Sequence, residues 1–137
     1  MARLLSVDPG TKRCGIAVSD SAETMAFPRP ALAMDERFVG SLRALVEEEF
    51  VALVVIGRPV NLQGESTAST DLADGLYETL VQALPVPVEQ CDERLTTTQA
   101  HRQFADAGVS QKKSRERIDS AAAVVLLEHF MEVRRGA

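Results

Sequence analysis

The stretch RLLSVDPGTKRCGIAVSD (Arg3–Asp20) decides how the rest of the chain is read. An apolar run ends on Asp8, turns through Pro9 and Gly10, and restarts at Cys14-Gly15-Ile16-Ala17-Val18. Proline presets the backbone of a turn, and glycine tolerates conformations that other residues avoid. Two strands joined by a tight turn are therefore predicted over 3–8 and 14–19. Asp-Pro-Gly is by itself ordinary turn chemistry. The position is what matters: a carboxylate at the mouth of a sheet, with Thr11, Lys12 and Arg13 just beyond it.

Outward from this hairpin, Met25 to Met34 contains Pro28 and Pro30. Proline cannot donate to a strand ladder, so this segment suits an edge strand and not a central one. From Asp35 to Phe50 the period changes, and Phe38, Leu42, Leu45 and Val46 recur at helical spacing. VALVVIG (Val51–Gly57) is a short continuous apolar run, the pattern of a strand covered on both faces. The loop GRPVNLQGES leads to a helix expected from about Glu65 to Leu84, with Leu72, Leu76, Leu80 and Ala83 on one side and Pro85 as its stop. VPVEQCDE reads as another strand. TTTQAHRQFADAG reads as a helix with a threonine cap and Gly108 at its end. VSQKKSRER is polar and basic and is expected to be mobile, and RIDSAAAVVLLEHFMEV closes the chain as a helix. Three antiparallel strands followed by βα units give a mixed α/β sheet with helices on its faces. The 137 residues contain no internal repeat or interdomain linker and are read as one domain, 1–137.

The chain is 45% apolar and 26% charged, which is ordinary for a soluble domain. Cys14 and Cys91 have no metal-ligand spacing and read as small apolar fillers. His101 and His129 read as helix-surface residues. With no secretory leader and no run near the roughly 18 apolar residues of a membrane span, the expectation is a reduced, cytoplasmic protein with no membrane partner. A net charge of −5 argues against coating nucleic acid through a global basic surface, though not against a local patch. The charges are unevenly spread: acids gather in VEEEF and DLADGLYE, cations in QKKSRER.

Three acidic positions stand out. Asp8 ends the first strand. Asp92-Glu93 ends the last one, and strand parity sends these two to opposite faces without saying which face holds a site. Asp119 heads the final helix and shares a face with Ala122, Ala123, Leu126 and Phe130. A carboxylate at the head of a buried stripe is costly unless paired, protonated or metal-bound. A first-turn acid paired with Arg115 or Arg117 would be the plainer reading. The run Ala121-Ala122-Ala123 lets that helix lie close to the sheet, which would bring Asp119 toward the strand ends. An oxygen-only cluster suits hard cations, Mg²⁺ or Mn²⁺, and not zinc.

Taken together, VDPGTKRCGIAVSD, VVIGRPVNLQGE, CDERLTTTQA and RIDSAAAVVLLEHF resemble the YqgF (RuvX) family, of the RNase H-like superfamily and related to the resolvase RuvC. The four blocks occur in order over essentially the whole chain. The resemblance implies an RNase H-like five-stranded mixed sheet and a divalent-metal nuclease, acting either in 5′-end processing of precursor 16S rRNA or as a Holliday junction resolvase. It implies Asp8, Glu93 and Asp119 as catalytic residues and metal ligands, holding two ions. The choice of Glu93 over Asp92 comes from this likeness alone. One departure is Arg58, where the family loop usually has leucine. Lys12, Arg13, Arg58, Lys112, Lys113 and Arg115 are the candidate phosphate contacts, for structured RNA or branched DNA. Such contacts read backbone and shape, not base sequence.

Three other readings compete. The Asp-x-Gly-Thr turn also occurs in actin-like and sugar-kinase ATPases, which need two such domains around a nucleotide. A non-catalytic nucleic-acid-binding domain would need no metal cluster. A resolvase that cuts two strands symmetrically calls for a homodimer, with RFVGSLRALVEEEF or the last helix as its candidate face.

Overall fold

A computed structural model of the chain describes residues 2–59, 67–92 and 111–136, and over 111–119 only the helix backbone is described. Five strands form one sheet: β1 (Arg3–Asp8), β2 (Arg13–Ser19), β3 (Ala26–Ala33), β4 (Val51–Arg58) and β5 (Val88–Asp92). Their order is β3-β2-β1-β4-β5. The first three pair antiparallel, and β1, β4 and β5 run parallel. This is the mixed sheet that the hairpin and the later apolar runs predict. Pro28 and Pro30 fall on the edge strand β3, where a missing donor costs no ladder bond.

The sheet is covered on both faces. Helices α1 (Phe38–Glu48) and α2 (Ala68–Ala83) cover one, and α3 (Gln111–Arg134) covers the other. Alternation along β1 sorts its side chains. Leu5 and Val7 join Phe38, Leu42, Leu76 and Leu80 on the α1/α2 side. Leu4 joins Ala123, Leu127 and Met131 on the α3 side. The parallel strand β4 sends Val54 and Ile56 to the first face and Leu53 and Val55 to the second, so its sequence is apolar from Val51 to Gly57, up to the terminal Arg58. Full burial of one such side chain is worth about 1.5–3 kcal/mol.

Two boundaries differ from the sequence-based expectation. Helix α2 starts at Ala68, not near Glu65, because Thr67 and Thr70 form a reciprocal cap and Thr70 Oγ1 also donates to the Pro59 carbonyl. Helix α3 is already helical at Gln111, so most of the basic stretch expected to be mobile belongs to the helix. Its Gln, Lys, Arg and Glu residues are good helix formers, and it has no proline or glycine to stop it. The expected loop residues 60–66, Glu93 and the helix expected over TTTQAHRQFADAG lie outside the described residues. Among the described residues, no helix is long and apolar enough to cross a membrane.

Glu49 ties the α1/α2 side to the sheet. Its carboxylate accepts from Arg3 Nη1 at 3.1 Å and from Arg29 Nε and Nη2 at 2.5 and 2.8 Å. The hydrogen bonds from Arg29 hold the Glu49 carboxyl below its ordinary value of 4.5. A depressed folded value makes this contribution fully present above pH 4.5. It is lost as pH falls through the lower, folded value. Glu49→Gln is expected to cost about 1–2 kcal/mol at pH 7 by urea unfolding. The gap between variant and parent should close as the pH is taken well below 4.5. A gap that does not change with pH would show that the charge is not what matters.

Candidate active site at the ends of β1, β4 and β5

Parallel strands end together. Val7 pairs with Ile56, Ile56 with Gln90, and Arg58 with Asp92, so Asp8, Arg58 and Asp92 all reach the same sheet edge. The carboxyl edge of parallel strands is where open α/β sheets usually bind ligands. Asp8 follows Leu4 and Ser6 by alternation and therefore lies on the α3 face.

Two serines fix α3 against this edge. Ser6 Oγ donates to the Ala123 carbonyl at 2.6 Å, and both residues are fully buried. A hydroxyl reaches a helix backbone only where the intervening side chains are small, as Ala121 to Ala123 are. Ser120 Oγ accepts from the Ile16 amide at 3.1 Å and donates to the Arg29 carbonyl at 2.6 Å. The β2–β3 register shifts between Cys14 and Ile16, and the Ser120 hydroxyl fills the gap that shift opens. Ile16 is the cross-strand partner of Val7, next to Asp8. The backbone of residue 119 is thereby brought to the Asp8 end of β1, while Leu127 and Met131 pack further back with Leu4. The Asp119 side chain is outside the described residues.

The turn after Asp8 requires glycine. A Cβ on Gly10 would sit 2.3 Å from the Arg13 carbonyl oxygen, a backbone atom that cannot swing away. The Lys12 carbonyl accepts from the Met34 amide at 2.8 Å, which ties the turn to the end of β3. Gly10→Ala is expected to cost about 1–3 kcal/mol by thermal unfolding, because the turn must open to admit the methyl group. Unchanged stability would mean that the turn relaxes freely. Lys12 and Arg13 are exposed on this turn. Cys14 is fully buried, and burial pushes its thiol up to about 11, with a smaller push from the Asp8 charge. It is an unreactive filler, as its strand position suggests.

Arg58 lies on the other face. Its guanidinium forks onto Asp74 of α2, Nε to Oδ1 at 3.0 Å and Nη2 to Oδ2 at 3.3 Å. Asp74 Oδ1 also accepts from Gln90 Nε2 at 2.9 Å, so one carboxylate joins α2, β4 and β5. These hydrogen bonds hold the Asp74 carboxyl below the usual range and raise Arg58, to which Asp92 and Asp71 add their charges. Gln90 reaches α2 while Cys91 packs toward α3. Asp92, in phase with Gln90, therefore faces the α1/α2 side, opposite Asp8. Among the described residues, no three His, Cys, Asp or Glu side chains converge as a metal site. Glu93 is outside those residues, as are the side chains of Lys112, Lys113 and Arg115, whose backbone is in α3.

The sequence pattern of a family described as RuvX, Holliday junction resolvase, matches residues 2–133. The chain belongs to the RuvX family. Relatives of this RuvX chain carry the name "Putative pre-16S rRNA nuclease". The protein from Mycobacteroides abscessus is 41% identical, over 97% of this chain and 82% of its own. That from Maridesulfovibrio salexigens is 34% identical, over 94% and 97%. Two solved structures show the same fold at low identity. The fowlpox virus Holliday junction resolvase aligns at 14% identity with a TM-score of 0.59, over 96% of this chain and 99% of its own. Thermus thermophilus RuvC, solved with a Holliday junction substrate, aligns at 16% with 0.57, over 99% and 97%. The RuvX fold is thus the RNase H-like one of the RuvC resolvases, as the four sequence blocks imply.

Sequence reasoning passed over Ser6, Ser120, Asp74 and Gln90. Ser120 sits between the singled-out Asp119 and the Ala121–Ala123 run, and a serine inside a buried helical stripe was the available signal. The Arg58–Asp74–Gln90 cluster left no signal in the sequence, because its contacts span sixteen residues in each direction.

Proposed function

We propose that this RuvX-family chain is a divalent-metal nuclease, a single domain over 1–137, that hydrolyses phosphodiester bonds in maturing the 5′ end of precursor 16S rRNA. The observation that carries the reading is the meeting of the Asp8 end of β1 with the stretch of α3 pinned by Ser120. Asp8, Glu93 and Asp119 would hold two Mg²⁺ or Mn²⁺ ions, hard cations matched to an all-carboxylate donor set. The position of Asp92, on the side away from Asp8, supports Glu93 as the ligand. When bound, such ions lower the pKa of a water, stabilise the leaving oxygen and reverse the local negative charge toward a polyanion. Lys12, Arg13, Lys112, Lys113 and Arg115 would hold phosphates of the substrate beside these acids. Arg58 joins them only by exchanging Asp74 for a phosphate. The rRNA assignment is supported by the names of the relatives. A cytoplasmic location fits Cys14 and Cys91 being thiols and not joined in a disulfide.

The family's own description supports a second reading, a Holliday junction resolvase acting as a homodimer. The purified chain should be assayed on a precursor 16S rRNA leader and on a four-way DNA junction, each with Mg²⁺, Mn²⁺ or EDTA, alongside its mass by sedimentation. The proposal expects metal-dependent cleavage of the leader. Symmetric junction cutting by a dimer, with the leader intact, would transfer the function to the second reading. Binding of either substrate without metal-dependent cleavage would leave only a nucleic-acid-binding domain.

A further inference from the structure

Helices α1 and α2 leave an open groove of about 500 Å³ between them, on the side of the sheet away from Asp8. Its floor is Phe38 and Leu76, and Met34, Val39 and Leu72 form half-buried walls. Gly75 also lines it, and a Cβ there would meet nothing within 4 Å. An exposed glycine inside a helix costs about 1 kcal/mol relative to alanine, yet here it leaves the groove wider. Two exposed acids lie along it, Asp35 and Asp71, and among the described residues no lysine or arginine does. Arg43 is the one cation in either helix, against Glu47, Glu48, Asp71, Asp74 and Glu78.

We propose that this groove is a docking site for a basic, amphipathic helical segment of a partner protein. Apolar side chains at i, i+3/i+4 and i+7 would fill the floor between the two helices, the usual way a helix enters a helical groove. Lysine or arginine beside them would meet Asp35 and Asp71. The sign of the charge selects the occupant. A nucleic-acid backbone is repelled by these acids, and a second copy packed through the same face, as in a two-fold dimer, brings the acids of α1 and α2 against each other. The inference is independent of the nuclease reading, because the groove and the Asp8 edge face opposite sides of the sheet.

The test uses a fluorescein-labelled helical peptide with leucine at those spacings and lysine at the flanking positions, and a second peptide with glutamate in place of lysine. Binding to the full chain is read by anisotropy. The lysine peptide should bind and the glutamate peptide should bind at least about tenfold more weakly. Gly75→Leu, which fills the groove, and the pair Asp35→Lys/Asp71→Lys, which reverses its charge, should each weaken the lysine peptide about tenfold or more. Circular dichroism melts check that both variants fold, and cleavage of the precursor leader should be unchanged in both. Equal binding of the two peptides, or undiminished binding by folded variants, would overturn the proposal. So would a wild-type dimer in sedimentation that Gly75→Leu disperses, since the groove would then belong to a second copy.

Discussion

Asp119→Asn is expected to lower the cleavage rate by about 10³-fold or more, equivalent to about 4 kcal/mol of transition-state stabilisation. Its unfolding free energy should stay within about 1 kcal/mol of the parent. Asparagine keeps the size of the side chain and one oxygen, but it removes the charge that a hard cation needs. The expectation combines the sequence, which sets an acid at the head of a buried helical stripe, with the fold. Ser120, the next residue, bonds to Ile16, and Ile16 pairs with the neighbour of Asp8. Asp8→Asn should behave the same way, and both variants should bind Mn²⁺ more weakly by titration calorimetry. Parental-rate cleavage of a precursor leader by purified Asp119→Asn would sink the assignment of the site.

The second large effect concerns stability. Ser120→Ala removes two hydrogen bonds from a fully buried position and leaves the Ile16 amide and the Arg29 carbonyl without that hydroxyl. A buried polar group that loses its partner costs about 1–3 kcal/mol, so a total of about 2–4 kcal/mol is expected by denaturant unfolding. For a chain of this size, that lowers the thermal midpoint by roughly 10 °C. Ser6→Ala is the informative comparison. It removes a bond to a helix carbonyl whose intrahelical partner remains, and about 1 kcal/mol is expected. If the two variants lose the same stability, the Ser120 hydroxyl does nothing beyond a single ordinary hydrogen bond.

The elements themselves were legible because local rules govern them. Pro28 and Pro30 mark an edge strand wherever the strand ends up. The unbroken apolar run of β4 requires cover on both faces. Helix boundaries were less legible. The basic stretch after Gly108 has the composition of a solvated linker, but nothing in it stops a helix that starts at Gln111. Of the candidate site, Asp8 and the approach of the α3 backbone could be anticipated, the latter from three consecutive alanines. The face of Asp92 could not. Both sides of β5 have chain against them, and the side was settled by Gln90 reaching Asp74 on α2. Arg58 reads as a free cation in the sequence, yet the fold gives it a carboxylate partner.

By itself, the sequence determined the kind and order of the described elements, the edge position of β3 and the turn at Gly10. These follow from sterics and periodicity within a few residues. Only the tertiary structure decided that Asp8 and Asp92 lie on opposite sides of the sheet and where α3 lies along β1. Those outcomes depend on a register shift in β2–β3 and on two serine hydroxyls that bridge 104 and 117 residues of chain. Hydrogen bonds of that span exist only once the sheet has formed, so no local pattern encodes them.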